Sequence, residues 1–163
     1  MENETTLNEI ISKIERAFAK APMPDADNIV KNHSTSDLES QWIRSTLVGR
    51  HWKDFTCETL HVYSDSVYFM TSAAYRFFLP AYLICALYPR ESDMVGETIV
   101  DSLAPPPLGV TKTTEEFRSR ISLLQPTELS AVASFFRYMD RHHQEFYLDN
   151  LLRNSIEQFW GKY

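Results

Sequence analysis

The chain has 163 residues, of which 44% are hydrophobic and 23% are charged, and its formal net charge is −6. These fractions are typical of a soluble globular protein and exclude a disordered or collagen-like chain. The length favours a single compact domain over residues 1–163. With only four glycines, the sequence also argues against a glycine-rich phosphate-binding loop.

The distribution of charge indicates which partners the protein could bind. Basic residues such as Arg137 and Arg141 are interleaved with acidic ones such as Asp140 and Glu145. The sequence therefore offers no basic face for nucleic-acid phosphates, and we expect no nucleic-acid partner. An acidic protein is better matched to a basic protein partner.

The sequence predicts a cytoplasmic protein that does not enter a membrane. Its first ten residues, MENETTLNEI, contain no apolar signal core. The longest apolar stretch, residues 77–88, contains Pro80 and is shorter than the roughly 20 residues that span a bilayer. Cys57 and Cys85 form no CxxC pair, and we expect two reduced thiols.

Capping patterns place the first two helices. Thr6-Leu-Asn-Glu9 and Ser36-Asp-Leu-Glu39 are both capping boxes. An apolar stripe at helical spacing follows each of them. The stripes are Leu7, Ile10, Ile11, Ile14 and Phe18, and then Leu38, Trp42, Ile43 and Leu47. Residues 50–70 are ambiguous, because the turn signal at residues 63–66 also allows a small hairpin.

A central helix is predicted over the sequence SAAYRFFLPAYLICALY, residues 72–88. It is apolar on nearly all sides, which is typical of a helix buried in the core. We expect Leu79, Leu83 and Ile84 to be almost fully buried. Pro80 lies in its interior and should kink the helix, because proline removes a backbone hydrogen bond.

The second half of the chain continues with helices. Met94, Val95, Ile99 and Leu103 are expected to face inward from a helix that ends before Pro105–Pro107. A capping box at residues 113–116 opens the next helix, Pro126 begins another, and a last stripe runs over residues 148–160. The sequence thus predicts an all-α domain of six or seven helices around the proline-kinked central helix.

Motifs for catalysis or metal binding are absent from the sequence. It contains no HExxH, GxSxG or P-loop pattern and no Cys/His pair at zinc spacing. The adjacent His142 and His143 point about 100° apart on a helix and cannot chelate one metal from it. We therefore predict no catalytic residue, no metal site and no cofactor.

One acidic ridge stands out on the helix that follows the central one. Asp93 and Glu97 lie four residues apart, and Asp101 extends their line by one more turn. Such a ridge can be simply solvated, can bind a cation, or can contact a protein partner. We predict Glu91, Asp93 and Glu97 as partner-binding residues.

The central segment Tyr75–Leu83, YRFFLPAYL, resembles the YRYYLPAYL core of an uncharacterised bacterial domain family of unknown function. Residues 14–18 are similar to the IxxAF of its first helix, and residues 125–138 resemble a later helix. The resemblance covers nearly the whole chain. It implies the family's fold and a bacterial origin, and it implies no activity and no catalytic residues.

Three functional hypotheses follow from these features. The first is a non-enzymatic protein-binding module, more narrowly a bacterial immunity protein that neutralises a toxin with a basic, nucleic-acid-handling active site. The second is a structural protein in which an exposed aromatic patch closes a homodimer. The third is a small hydrolase or metal enzyme with a site assembled from scattered Asp, Glu and His. The oligomeric state is left open between monomer and homodimer.

Overall fold

The computed structural model describes residues 6–89, 94–107 and 111–163. Over these ranges the chain forms eight α-helices and no β-strand. The helices are α1 Leu7–Phe18, α2 Leu38–Leu47, α3 Cys57–Val62, α4 Ser72–Ala86, α5 Met94–Leu103, α6 Thr111–Ile121, α7 Pro126–His142 and α8 Leu151–Gln158. The predicted all-α fold is confirmed. Seven of these helices have eight or more residues, and the six-residue α3 is the additional one.

The N-termini of α1 and α2 show how local sequence sets helix boundaries. Thr6 and Glu9 form the predicted capping box, with the Thr6 amide donating to the Glu9 carboxylate at 2.7 Å. In α2 the cap is Asp37 instead of the expected Ser36, and its carboxylate accepts from the Ser40 amide at 3.0 Å. Hydrogen bonds from the Ser40 backbone and side chain lower the pKa of Asp37.

The central helix α4 is helical from Ser72 to Ala86 and continues through Pro80. Leu79 and Leu83 are fully buried, as predicted, whereas Ile84 is only partly buried. The kink at Pro80 stays a prediction.

Helices on several sides enclose α4, which contacts α1, α3, α5 and α6. An ion pair also joins it to α7. The Arg76 guanidinium binds the Glu128 carboxylate in a bidentate arrangement, with Nε–Oε2 and Nη2–Oε1 distances of 2.9 Å. Glu128 is buried, although acidic residues are rarely buried unless they are paired.

The small hairpin that the sequence left open for residues 58–70 is not formed. Over residues 50–70 the chain forms a short 3-10 turn at Trp52–Asp54, then α3, then a second 3-10 turn at Ser64–Tyr68, called here the 64–68 turn. Its backbone hydrogen bonds are local, such as Ser66 N to Tyr63 O at 3.0 Å. A side-chain cap by Thr56 starts α3 and so favours helix over strand.

The prediction of two separate reduced thiols is also wrong. Cys57, the first residue of α3, and Cys85, near the end of α4, form a disulfide with a Cα–Cα distance of 5.3 Å. The two cysteines are 28 positions apart. They meet because α3 packs against α4, a tertiary contact that no local pattern reveals.

The last two helices are separate. After α7 the chain forms a 3-10 turn at Gln144–Phe146, and Asp149 and Asn150 then adopt positive φ angles of 55° before α8 begins. Leu148, expected in the apolar stripe, precedes α8 and is 85% exposed. Within the described residues, no helix combines the length and apolarity needed to cross a bilayer.

Candidate functional site

A groove runs between α5 and the start of α8. Its first compartment is a cavity of about 560 Å³, and a second of about 450 Å³ adjoins it. The two share Tyr68, Asp101, Leu151 and Asn154, so they form one continuous depression, called here the α5–α8 groove.

Four carboxylates line the first compartment. Glu97 and Asp101 come from successive turns of α5, whose opposite face is buried through Val95 and Ile99. Asp65 comes from the 64–68 turn, and Asp149 from the turn before α8. Among the described residues that line this compartment, none carries a basic side chain. The compartment therefore favours positively charged groups.

Aromatic and aliphatic side chains complete the same compartment: Tyr68, Met94, Phe146, Tyr147, Leu148 and Leu151. Met94 is about half exposed, although the sequence predicted it to face inward. A surface that mixes apolar side chains with carboxylates can bind both the alkyl stem and the charged head of a lysine or arginine.

Tyr68 and Asp101 are joined by a short hydrogen bond at the middle of the groove. The Tyr68 hydroxyl donates to Asp101 Oδ2 at 2.6 Å. Burial of the phenol, with the neighbouring Asp101 carboxylate, raises the pKa of Tyr68 above its ordinary value. Tyr68 therefore stays a neutral donor at physiological pH and fixes one side of the Asp101 carboxylate.

The second compartment contains a cationic side chain, Arg120, which is held by contacts within the protein. Its Nη1 donates to the Ser102 carbonyl at 2.7 Å. Its guanidinium also lies over the rings of Tyr68 and Tyr75, at 5.3 and 5.9 Å from their centroids. This end of the groove is closed by Pro105–Pro107 and by α6. Arg120 thus holds α6 against the floor of the groove.

The turn before α8 forms the outer rim of the groove. Asp149 and Asn150 both have φ of 55°, a left-handed conformation that Asp and Asn tolerate better than other non-glycine residues. The Asn154 amide donates to the Asp149 carbonyl at 3.0 Å, which fixes the turn from α8. Leu148 projects from this rim into solvent.

Of the three predicted partner-binding residues, Glu97 lies in the groove, whereas Glu91 and Asp93 lie outside the described residues. The extension of the acidic ridge to Asp101 is also in the groove. Sequence reasoning missed Asp65 and Asp149, because they reach the site through separate turns. The described residues contain no group of three or more His, Cys, Asp or Glu that could hold a metal ion.

The polar pair that most resembles a nucleophile with its base lies elsewhere, between α1 and α7. Lys13 Nζ donates to Ser134 Oγ at 2.6 Å, and burial, with the nearby Arg137, lowers the pKa of Lys13. The Ser134 hydroxyl, however, donates to the Ser130 carbonyl at 2.9 Å. Its proton is thus directed at the backbone and not at Lys13, and the pair ties the two helices together.

A second surface feature is apolar and lies on α2 and α3. Leu38 is 76% exposed and Trp42 about half exposed, although the sequence predicted both to face inward. The buried face of α2 instead passes through Ser40, Ile43 and Leu47. The Trp42 ring packs on the Tyr63 ring, with 4.5 Å between the ring centroids. We call Leu38, Trp42 and the exposed Val62 the α2–α3 patch.

Comparison with known proteins places the chain in a family without giving it an activity. A model described as a family of unknown function, DUF6714, matches residues 6–163. No curated protein matches the chain. No solved structure matches it. Because the match extends over almost the whole sequence, the chain belongs to the DUF6714 family of unknown function.

Proposed function

We propose that the protein is a non-enzymatic binding module whose α5–α8 groove receives a basic segment of a protein partner. The observation that carries the proposal is the lining of the first compartment, with four carboxylates, several apolar side chains and no basic side chain among its described residues. Electrostatic complementarity of this kind speeds association and selects basic partners.

The shape of the groove supports an extended segment as the occupant. Its two compartments share four residues and together exceed the space that a single side chain fills. The walls also come from well-anchored elements, because α5 is buried along one face and Tyr68 is bonded to Asp101. Preformed walls lower the entropic cost of binding.

The narrower form of the proposal is a bacterial immunity protein that acts in the cytoplasm. Toxins that cleave or modify nucleic acids have basic active sites, so an acidic groove is a suitable inhibitor surface. The net charge of −6 adds long-range attraction to such a target. A toxin encoded beside this gene would provide the natural partner for the test.

A second candidate function is homodimerisation through the α2–α3 patch. Its support is the exposure of Leu38, Trp42 and Val62 on adjoining helices, because exposed apolar clusters commonly mark contact surfaces. A molecular mass that rises with protein concentration, and that falls to the monomer value in Trp42→Ser, would favour this function.

The groove is tested by charge reversal with a matched control. Glu97→Lys changes an exposed carboxylate in the first turn of α5, and Glu39→Lys makes the same change in the first turn of α2, outside the groove. The probe is a fluorescent hexa-arginine peptide, titrated by anisotropy at about 10 mM and about 150 mM salt.

We expect Glu97→Lys to weaken peptide binding about tenfold at low salt, because reversing one charge at about 6 Å in high dielectric changes the energy by about 1.4 kcal/mol. The effect should shrink at the higher salt concentration. Glu39→Lys should change binding less than about twofold. Equal effects of the two substitutions would show that binding reflects net charge alone and would refute the groove.

The immunity function has its own test. If a toxin is encoded beside this gene, co-expression of this protein with that toxin should restore bacterial growth. Glu97→Lys should reduce that protection while Glu39→Lys retains it. Full protection by both variants would refute an immunity function that depends on the groove.

A further inference from the structure

The disulfide between Cys57 and Cys85 is close in sequence to residues that line the groove. It closes a loop that contains all of α3 and the 64–68 turn, and this turn supplies Asp65 and Tyr68 to the groove wall. The bond is therefore in a position to affect the site, although it does not line it.

The disulfide is one of the contacts that hold helix α3 in position. It has only six residues, of which Leu60 alone is fully buried, while Glu58, His61 and Val62 are exposed. Helices this short are unstable in isolation and need tertiary contacts. Burial of Leu60, contacts with α5 and the Trp42 ring on Tyr63 also hold α3 and its C-cap. The Tyr82 hydroxyl of α4 adds a hydrogen bond to the Tyr63 carbonyl at 3.1 Å.

The two ends of the 64–68 turn are anchored differently. Tyr68 is bonded to Asp101, and its carbonyl accepts from Lys31 Nζ at 3.0 Å. The other end continues directly from α3, with Tyr63 as the shared cap. Ser64 and Ser66, which flank Asp65, are buried, and the turn packs against α5. A loosened α3 would therefore displace Asp65 only where it also loosens this segment.

The two ends of the disulfide differ in exposure. Cys85 is buried, whereas Cys57 is only partly buried, so we expect a reductant to approach from the Cys57 side. Disulfides are rare in reducing compartments, and those that occur there are usually transient or redox-sensing. Access to a sulfur atom is one of the factors that set the rate of thiol–disulfide exchange.

We propose that Cys57 and Cys85 form a reversible redox switch, in which the disulfide orders α3 and the Asp65 end of the groove wall and reduction loosens both. A cellular dithiol supplies two electrons and two protons. The protein's sulfur–sulfur bond breaks to give two thiols, and the dithiol becomes a disulfide. The consequence for binding, a weaker hold on a basic segment in the reduced state, rests on the function proposed above.

The switch is tested on the full chain by hydrogen exchange in oxidised and dithiothreitol-reduced protein. Reduction should increase exchange about tenfold at residues 58–66 and leave α7 unchanged. The double variant Cys57→Ser, Cys85→Ser should exchange like the reduced protein in both buffers. Alkylation in glutathione buffers of graded composition should show that the thiols interconvert reversibly.

Two results would overturn the proposal. Unchanged exchange at residues 58–66 would show that the bond does not order α3. Faster exchange in α7 as well would show that the bond is a general stabiliser of the fold and not a local switch. The wild-type measurements decide this even where the double variant does not fold.

Binding of hexa-arginine separates this proposal from the preceding one. If the peptide binds, reduction should weaken it about threefold to tenfold, and an unchanged affinity would refute the link between α3 and the groove. If the peptide binds neither state, the groove function fails, while the exchange measurement still decides whether the switch exists.

Discussion

The ion pair between Arg76 and Glu128 allows a quantitative test of what holds the central helix in place. Glu128→Gln keeps the size of the side chain but removes its charge. In the native protein the side chains of Arg76 and Glu128 are only 16% and 2% exposed, and they share two hydrogen bonds of 2.9 Å. Glu128 also accepts from the Gln125 amide at 2.8 Å, which caps α7. The substitution would thus leave an uncompensated guanidinium and weaken a helix cap.

Removing one partner of a buried ion pair typically costs about 3–5 kcal/mol. Arg76 retains some contact with solvent, so we expect a value near the lower end, about 3 kcal/mol. Because native domains are stable by only about 5–15 kcal/mol, this loss should be plain in urea denaturation followed by far-UV circular dichroism. The matched control is Asp27→Asn, which removes an equally short ion pair, Arg44–Asp27 at 2.9 Å, from the surface. There we expect a change below about 1 kcal/mol.

The double variant Arg76→Met, Glu128→Leu removes both charges and retains apolar volume. It should be more stable than Glu128→Gln, because the main cost of the single substitution is the charge left behind. The reasoning would be refuted by a loss below about 1 kcal/mol in Glu128→Gln, the range typical of exposed ion pairs. A double variant no more stable than Glu128→Gln would refute it as well.

Two further predictions concern the core and the end of α7. Leu83→Ala should cost about 2–5 kcal/mol in urea denaturation, because Leu83 is fully buried in the central helix, and a loss below about 0.5 kcal/mol would contradict that position. Burial lowers the pKa of His143 from its usual 6.5. The neighbouring His142 lowers it further, and the Glu145 carboxylate partly opposes this shift. The unfolded chain therefore binds more protons than the native one between the lowered pKa and about 6.5. The melting temperature should therefore rise with pH through this window. If the melting temperature of His143→Gln shows the same rise, the assignment to His143 is contradicted.

Those parts of the fold that local sequence determines were predictable. The capping box at Thr6–Glu9 and the apolar segment around Pro80 place α1 and α4 correctly, because both signals act within a few residues. Side-chain direction was less predictable. Leu38 and Trp42 belong to the apparent stripe of α2, but the helix buries the neighbouring face instead. An amphipathic pattern indicates a helix more firmly than it indicates which edge of the apolar face meets the core.

Features that depend on distant parts of the chain could not be obtained from the sequence. Cys57 and Cys85 meet only because α3 folds back on α4. The acidic groove combines residues that the sequence pattern could identify with residues that it could not. Glu97 and Asp101 share a helix face and were recognisable from their spacing, whereas Asp65 and Asp149 join them through two separate turns. The site was therefore half visible in the sequence, as the ridge on α5, and half dependent on tertiary structure.

The segment that carries the family resemblance has two polar residues at its start, and they connect α4 to different neighbours. Tyr75 reaches α5, where its hydroxyl lies 2.8 Å from Ser102 Oγ, and Arg76 reaches Glu128 on α7. Consecutive residues on a helix point about 100° apart, so the two side chains can contact two different helices. Apolar side chains fill the space around α4, but their contacts are not directional. Hydrogen bonds and ion pairs are directional, so Tyr75 and Arg76 fix the rotation of α4 in the core. Since Arg120 donates to the Ser102 carbonyl, the same contacts continue to the floor of the groove.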